Sequence, residues 1–207
     1  RINMEDYVNR MLESFPYEVT GTSASPAPDY LFTTRDEANK LDPEMHAAFH
    51  TMVAKGLFAC KRARPDIQLS IAFLSTRVRE PDEDDWKKLI KLLKYLNGTR
   101  KLALKLSADN MSVLKWYVDA SFAVHPDCRG HTGGVLTLGS GAAYSTSTKQ
   151  KLNAKSSTES ELIGVDDVLP QILWTNYFME KQGIELTNTI LYQDNKSTIL
   201  LANNGKA

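Results

Sequence analysis

The chain has 207 residues with 25 basic and 25 acidic side chains, and so no formal net charge. That length allows one large or two small domains with an ample core. Two cysteines, Cys60 and Cys128, exclude a disulfide-built scaffold and suit a reducing compartment. No signal-peptide pattern and no membrane-spanning apolar run is present, and the chain opens at Arg1 without an initiator Met. The expectation is an intracellular, cytoplasmic piece of a longer polypeptide that is neither secreted nor inserted in a membrane.

In chain order, residues 1–18 suggest a short strand and a helix carrying Tyr7, Met11 and Phe15 four apart, and residues 19–35 a loop rich in Ser, Gly and Pro. Three helices are expected next. The first spans about 43–58, with Asp42 as N-cap and Pro43 in the first turn; the second spans 67–78; the third spans about 83–96 and ends at Asn97-Gly98. Seven basic residues and no acid lie between Lys87 and Lys105, and Lys87, Lys91, Lys94 and Arg100 are candidate phosphate contacts. The acids from 82 to 85 complement the same helix's dipole, so a solvated helix face is the alternative.

From residue 102 the pattern changes. Residues 102–106, 113–118, 133–138 and 143–148 read as strands. A helix of about 159–181 with Pro170 inside, a strand at 189–192 and a final helix from about Lys196 follow. Strands first, then helix, strand and helix, describe a mixed α/β fold covered by helices. The expected division is a helical segment over 1–106 and a sheet domain over 107–207.

Three acidic sites carry the chemistry. Asp119 follows the apolar Trp116-Tyr117-Val118, Asp194 follows Leu191-Tyr192-Gln193, and Glu159 and Glu161 open a helix. Each has a bland alternative: an Asx turn for Asp119 or Asp194, a capping box for either glutamate. Carboxylates are seldom buried unless paired or bound to metal, and three at element ends favour a divalent-metal site. Helical phase separates the glutamates. Positions 161, 165, 168 and 172 share one face, carrying Glu161, Val165, Val168 and Ile172, whereas Glu159 lies about 200° away. Glu161 is therefore the expected metal ligand, and Glu159 a cap. His125, Cys128 and His131 have ligand-like spacing but lack a fourth zinc ligand, and a loop is the preferred reading.

Read together, the motifs resemble the ribonuclease H domain of copia-type retrotransposon polyproteins. Tyr117-Val118-Asp119-Ala120-Ser121 resembles that family's first catalytic strand, and the stretch from Asp127 to Gly134 its Arg-containing hairpin. Residues 156–162 resemble its catalytic helix start, and Tyr192-Gln193-Asp194-Asn195-Lys196-Ser197 its third acidic site. Arg64-Pro65-Asp66-Ile67 and the stretch from Trp86 to Thr99 resemble the segment joining polymerase to that domain.

The resemblance implies a ribonuclease H-like, mixed five-stranded sheet with flanking helices, preceded by a connecting, thumb-like helical segment. It implies two-metal hydrolysis of the RNA strand of RNA–DNA hybrids, with two Mg²⁺ (or Mn²⁺) about 4 Å apart held by Asp119, Glu161 and Asp194. Ser121, Arg129, Asn195 and Ser197 become candidate contacts to the hybrid. The expected partners are the hybrid and an upstream polymerase domain, with oligomeric state open. A fourth acid is expected beyond Ala207, so that the isolated piece hydrolyses weakly or not at all. A catalytically silent nucleic-acid-binding relic and another metal-dependent nuclease of the same fold are the alternatives.

Overall fold

The computed structural model describes residues 1–204, in two compact units, Arg1–Leu104 and Lys105–Ala207. In the first, α1 (Glu5–Glu13) is followed by a long loop, which contains the expected 19–35 stretch, and then by α2 (Pro43–Arg62). Asp42 caps α2 by accepting the Met45 N–H at 2.8 Å, with Pro43 in the first turn, where a missing N–H costs nothing. A 3₁₀ turn (Pro65–Ile67) leads into α3 (Gln68–Arg77), and α4 spans Glu83–Gly98. The start of α4 is a reciprocal capping box between Asp82 and Asp85.

Val8, Met11, Phe49, Met52, Ile71, Leu89, Leu92 and Leu96 form the core of this unit. Contact between α2 and α3 depends on Gly56, where an added Cβ would stand 2.3 Å from Ile71 Cδ1. Beside the core runs a buried ionic group. Arg77 pairs with Asp82 and Asp85, at 2.9 and 2.8 Å, and the Lys88 ammonium donates to Thr33 O at 2.7 Å while lying over the Phe73 ring.

The second unit carries strands β1 (Ser107–Ala108), β2 (Val113–Ser121), β3 (His131–Thr137), β4 (Gly139–Ser140), β5 (Tyr144–Lys149) and β6 (Asn188–Tyr192), with helices α5 (Ser157–Lys181) and α6 (Lys196–Asn204). The main sheet runs β5-β3-β2-β6, with β6 parallel to β2 and the other pairs antiparallel. The fold is thus mixed α/β with a mixed sheet and six helices, consistent with a ribonuclease H-like architecture. Among the described residues the main sheet has four strands, and β1 and β4 form a separate two-stranded ribbon.

Residues 102–106 are not a strand, although their leucines alternate. Leu104 makes one isolated bridge to Ile2, Leu102 and Leu106 are exposed, and pairing begins only at Ser107. Alternation forms a strand only where a neighbouring edge continues to accept it. The last helix, expected from about Lys196, is described over Lys196–Asn204, and residues 205–207 lie outside the described range.

Leu114, Trp116 and Val118 of β2 join Leu136, Val168, Ile172 and Met179 in the core under α5. Gly134 and Gly164 let helix and sheet approach: an added Cβ at Gly134 would meet Val168 at 2.9 Å, and one at Gly164 would meet Ala120 at 3.1 Å. Helix α5 is continuous through Pro170, which is exposed.

Candidate metal centre

Strand alternation decides where Asp119 points. Because Trp116 and Val118 are buried against α5, Tyr117 and Asp119 take the exposed side of β2. The parallel register pairs Tyr117 with Tyr192, and Asp119 and Asp194 each lie two residues further along their strands' course. Glu161 enters from above, in the first two turns of α5 and on the same buried stripe as Val168 and Ile172. The three carboxylates each offer an oxygen, all within 4.8 Å of one another. Among the described residues they are the one group of three or more His, Cys, Asp or Glu side chains that converges in this way.

Their electrostatics fit a cation. Glu161 is only 8% exposed, and burial raises its pKa above the usual glutamate value. The charges of Asp119 and Asp194 raise it further, opposed by a hydrogen bond from Gln193 and by the Ala120 backbone. Like charges held this close are relieved by a divalent ion, and an all-oxygen donor set suits a hard cation. Glu159 turns away: its Oε2 accepts the Lys155 N–H at 2.6 Å, and its own N–H donates to Ser156 Oγ at 3.2 Å. The two glutamates thus divide between cap and cluster.

Candidate nucleic-acid contacts fall in several places. Ser121 is exposed at the end of β2, and Ser197 is exposed in the first turn of α6. Asn195 caps α6, its Oδ1 accepting the Thr198 N–H at 3.0 Å, which leaves its amide NH₂ for a ligand. Arg129, in the turn before β3, stands 3.5 Å from Asp127. In the first unit, Lys87 pairs with Asp84 at 3.0 Å. Arg100 is held by Asn97 and by Asn9 Oδ1, the latter at 3.1 Å. Lys91 and Lys94 are half-buried and form no ion pair among the described residues. Lys88 is not part of a surface stripe at all, being 1% exposed.

Other polar groups around the centre are not singled out by any sequence motif. Gln193 Nε2 donates to Glu161 Oε2 at 3.0 Å and to Val118 O at 3.4 Å, while its Oε1 accepts the Asn195 N–H at 2.9 Å. Gln150 donates to Thr132 Oγ1 and Ser160 O, at 3.1 and 2.8 Å, and Thr132 donates to Asp167 at 2.8 Å. Strand period places Gln193 opposite Tyr192 in orientation, a usable signal; nothing local marks Gln150. His125 and His131 bond to each other at 3.0 Å, and His131 to Ser147 Oγ at 2.7 Å, while Cys128 is exposed. This is a hairpin clasp, not a zinc site.

No protein-family model and no solved structure matches the chain. Among curated proteins it is 28% identical over 211 residues to the retrovirus-related Pol polyprotein from transposon TNT 1-94 of Nicotiana tabacum, covering 98% of this chain and 16% of that protein. It is 33% identical over 143 residues to the corresponding polyprotein from transposon RE2 of Arabidopsis thaliana, covering 68% of this chain and 10% of the relative. It is 27% identical over 176 residues to a putative transposon Ty5-1 protein of Saccharomyces cerevisiae, covering 83% of this chain and 56% of that protein. The chain therefore spans a small part of the two Pol polyproteins' length. No helix among the described residues is long and apolar enough to cross a membrane. Matched by these relatives over 98%, 68% and 83% of its length, the chain belongs to the Pol polyproteins of copia-type retrotransposons, of which it is a segment.

Proposed function

We propose that the second unit is a ribonuclease H-like hydrolase that cuts the RNA strand of RNA–DNA hybrids. The observation that carries this reading is the convergence of Asp119, Glu161 and Asp194 within 4.8 Å at the open end of a mixed sheet. These residues would hold two Mg²⁺ ions, which supply charge stabilisation at the phosphate and an activated water. Asp119 and Asp194, both exposed, present their oxygens to solvent and to an incoming phosphodiester. Glu161, buried and carried by α5, sets the rear wall of the site. Ser121, Arg129, Asn195 and Ser197 offer hydroxyl, guanidinium and amide groups to phosphates and to ribose 2′-hydroxyls, the latter being the groups by which RNA is told from DNA.

The first unit serves as the segment connecting this domain to a polymerase earlier in the polyprotein, with Lys87, Lys91, Lys94 and Arg100 offering phosphate contacts. The test is cleavage of labelled RNA–DNA hybrid, duplex DNA and duplex RNA by the 207-residue chain and by the longer polyprotein. Mg²⁺-dependent cutting of the hybrid's RNA strand, abolished by Asp119→Asn, supports the reading. Equal cutting of duplex DNA, or full activity in Asp119→Asn, would sink it.

A further inference from the structure

We propose that Gln193 is the positioning residue of this centre: its side-chain amide holds the Glu161 carboxylate in the orientation in which it shares a divalent cation with Asp119 and Asp194. The inference rests on the metal-centre reading above and deepens it. Three hydrogen bonds from one amide link three elements. Nε2 donates to Glu161 on α5 and to Val118 O on β2, and Oε1 accepts the backbone N–H of Asn195 beside Asp194. The amide's polarity follows from this network, since two acceptors face the nitrogen and one donor faces the oxygen.

Among the described residues, Gln193 is the one side chain that donates to Glu161. A carboxylate engaged through Oε2 keeps a second oxygen for a cation, and such outer partners orient metal ligands. The same amide fixes the backbone on which Asp194 stands, so one side chain couples two of the three acids.

A structural role is already filled elsewhere. Thr198 Oγ1 donates to Thr158 O at 3.2 Å and ties α6 to the start of α5 without touching the centre. Gln193 is half-buried at the wall of the site rather than in the core, so an apolar side chain of similar length can occupy its place.

The experiment follows Mn²⁺ binding to the 207-residue chain by electron paramagnetic resonance, beside thermal unfolding of the metal-free protein. The proteins compared are wild type, Gln193→Leu, Thr198→Val and Asp119→Asn. The expected result is that Gln193→Leu binds Mn²⁺ at least about tenfold more weakly while its melting temperature stays within a few degrees of wild type. Thr198→Val is expected to melt lower and bind Mn²⁺ as wild type does. Wild-type affinity in Gln193→Leu, or an equal loss in Thr198→Val, overturns the role of Gln193 and leaves the centre standing. No Mn²⁺ binding by wild type, or equal binding by Asp119→Asn, overturns the centre and the inference with it.

Discussion

Tyr117 and Tyr192 are partners in the parallel register of β2 and β6, and their rings stack with centroids 4.6 Å apart and planes at 12°. Two residues beyond each tyrosine stands an aspartate. The stacked pair therefore reports the register that sets Asp119 beside Asp194. A slip of one residue would turn every side chain of β6 to the opposite face and separate the two carboxylates.

Replacing Asp119 by Asn removes one ligand and one negative charge from the cluster. Mg²⁺ affinity is expected to fall at least about tenfold, as losses around metal ligands do. The metal-free protein is expected to melt no lower than wild type, because Glu161 then faces one fewer like charge. Calorimetric titration and thermal unfolding check both halves. Because a proton competes with the cation at Glu161, whose pKa is raised, affinity should begin to fall at a pH above the ordinary glutamate range.

The two histidines of the hairpin give the protein an acid-sensitive element. Burial, with Lys149 nearby, lowers His125 to about 4, and burial with the neighbouring His125 lowers His131 to about 4. Both stay neutral when folded, whereas an unfolded histidine binds its proton near pH 6.5. Their contribution is fully present above about pH 6.5 and is lost progressively as pH falls toward 4. Melting temperature measured from pH 8 to 4 should decline across that window, and His131→Gln should flatten the decline.

Gly130 has no room for a side chain. A Cβ there would stand 2.2 Å from Gln150 Oε1 and 2.7 Å from Ser160 Oγ, two buried groups bonded to each other at 3.1 Å. Gly130→Ala is expected to cost about 1–3 kcal/mol, the usual range for overpacking. Denaturant unfolding gives the number, and a cost under about 0.5 kcal/mol would mean that the Gln150–Ser160 contact is loose.

In the first unit Arg64 is 1% exposed, forks onto Asp66, and donates to Thr99 O and Oγ1 at 3.2 and 2.7 Å. Arg64→Met should destabilise by about 3–5 kcal/mol, because the partners are left uncompensated. Arg64→Lys should recover little, since an ammonium cannot reproduce the fork. Unfolding of both variants beside wild type is the measurement.

Features set by local period are legible in the sequence alone. Helical phase separated Glu161 from Glu159, the Asp42-Pro43 pair marked the start of α2, and two acids after apolar strands converged as their positions suggested. Features that join distant residues are not. Gln193 acquires its partners only when β6 lies beside β2 and under α5. The leucines of 102–106 alternate as a strand would, yet no sheet edge runs beside them. Lys88 counts as a surface charge until a carbonyl 55 residues away, at Thr33, accepts its hydrogen bond.

That buried lysine changes what a polyanion meets at α4. With Lys88 inside and Lys87 matched by Asp84, the cations of α4 that pair with no acid among the described residues are Lys91 and Lys94. Counterion release scales with phosphates neutralised, roughly 0.9 per contact on a duplex. An isolated first unit that touched nucleic acid through α4 would therefore show a logarithmic salt slope near about 2. Reading every basic side chain from 87 to 101 as a contact would give a slope of about 5.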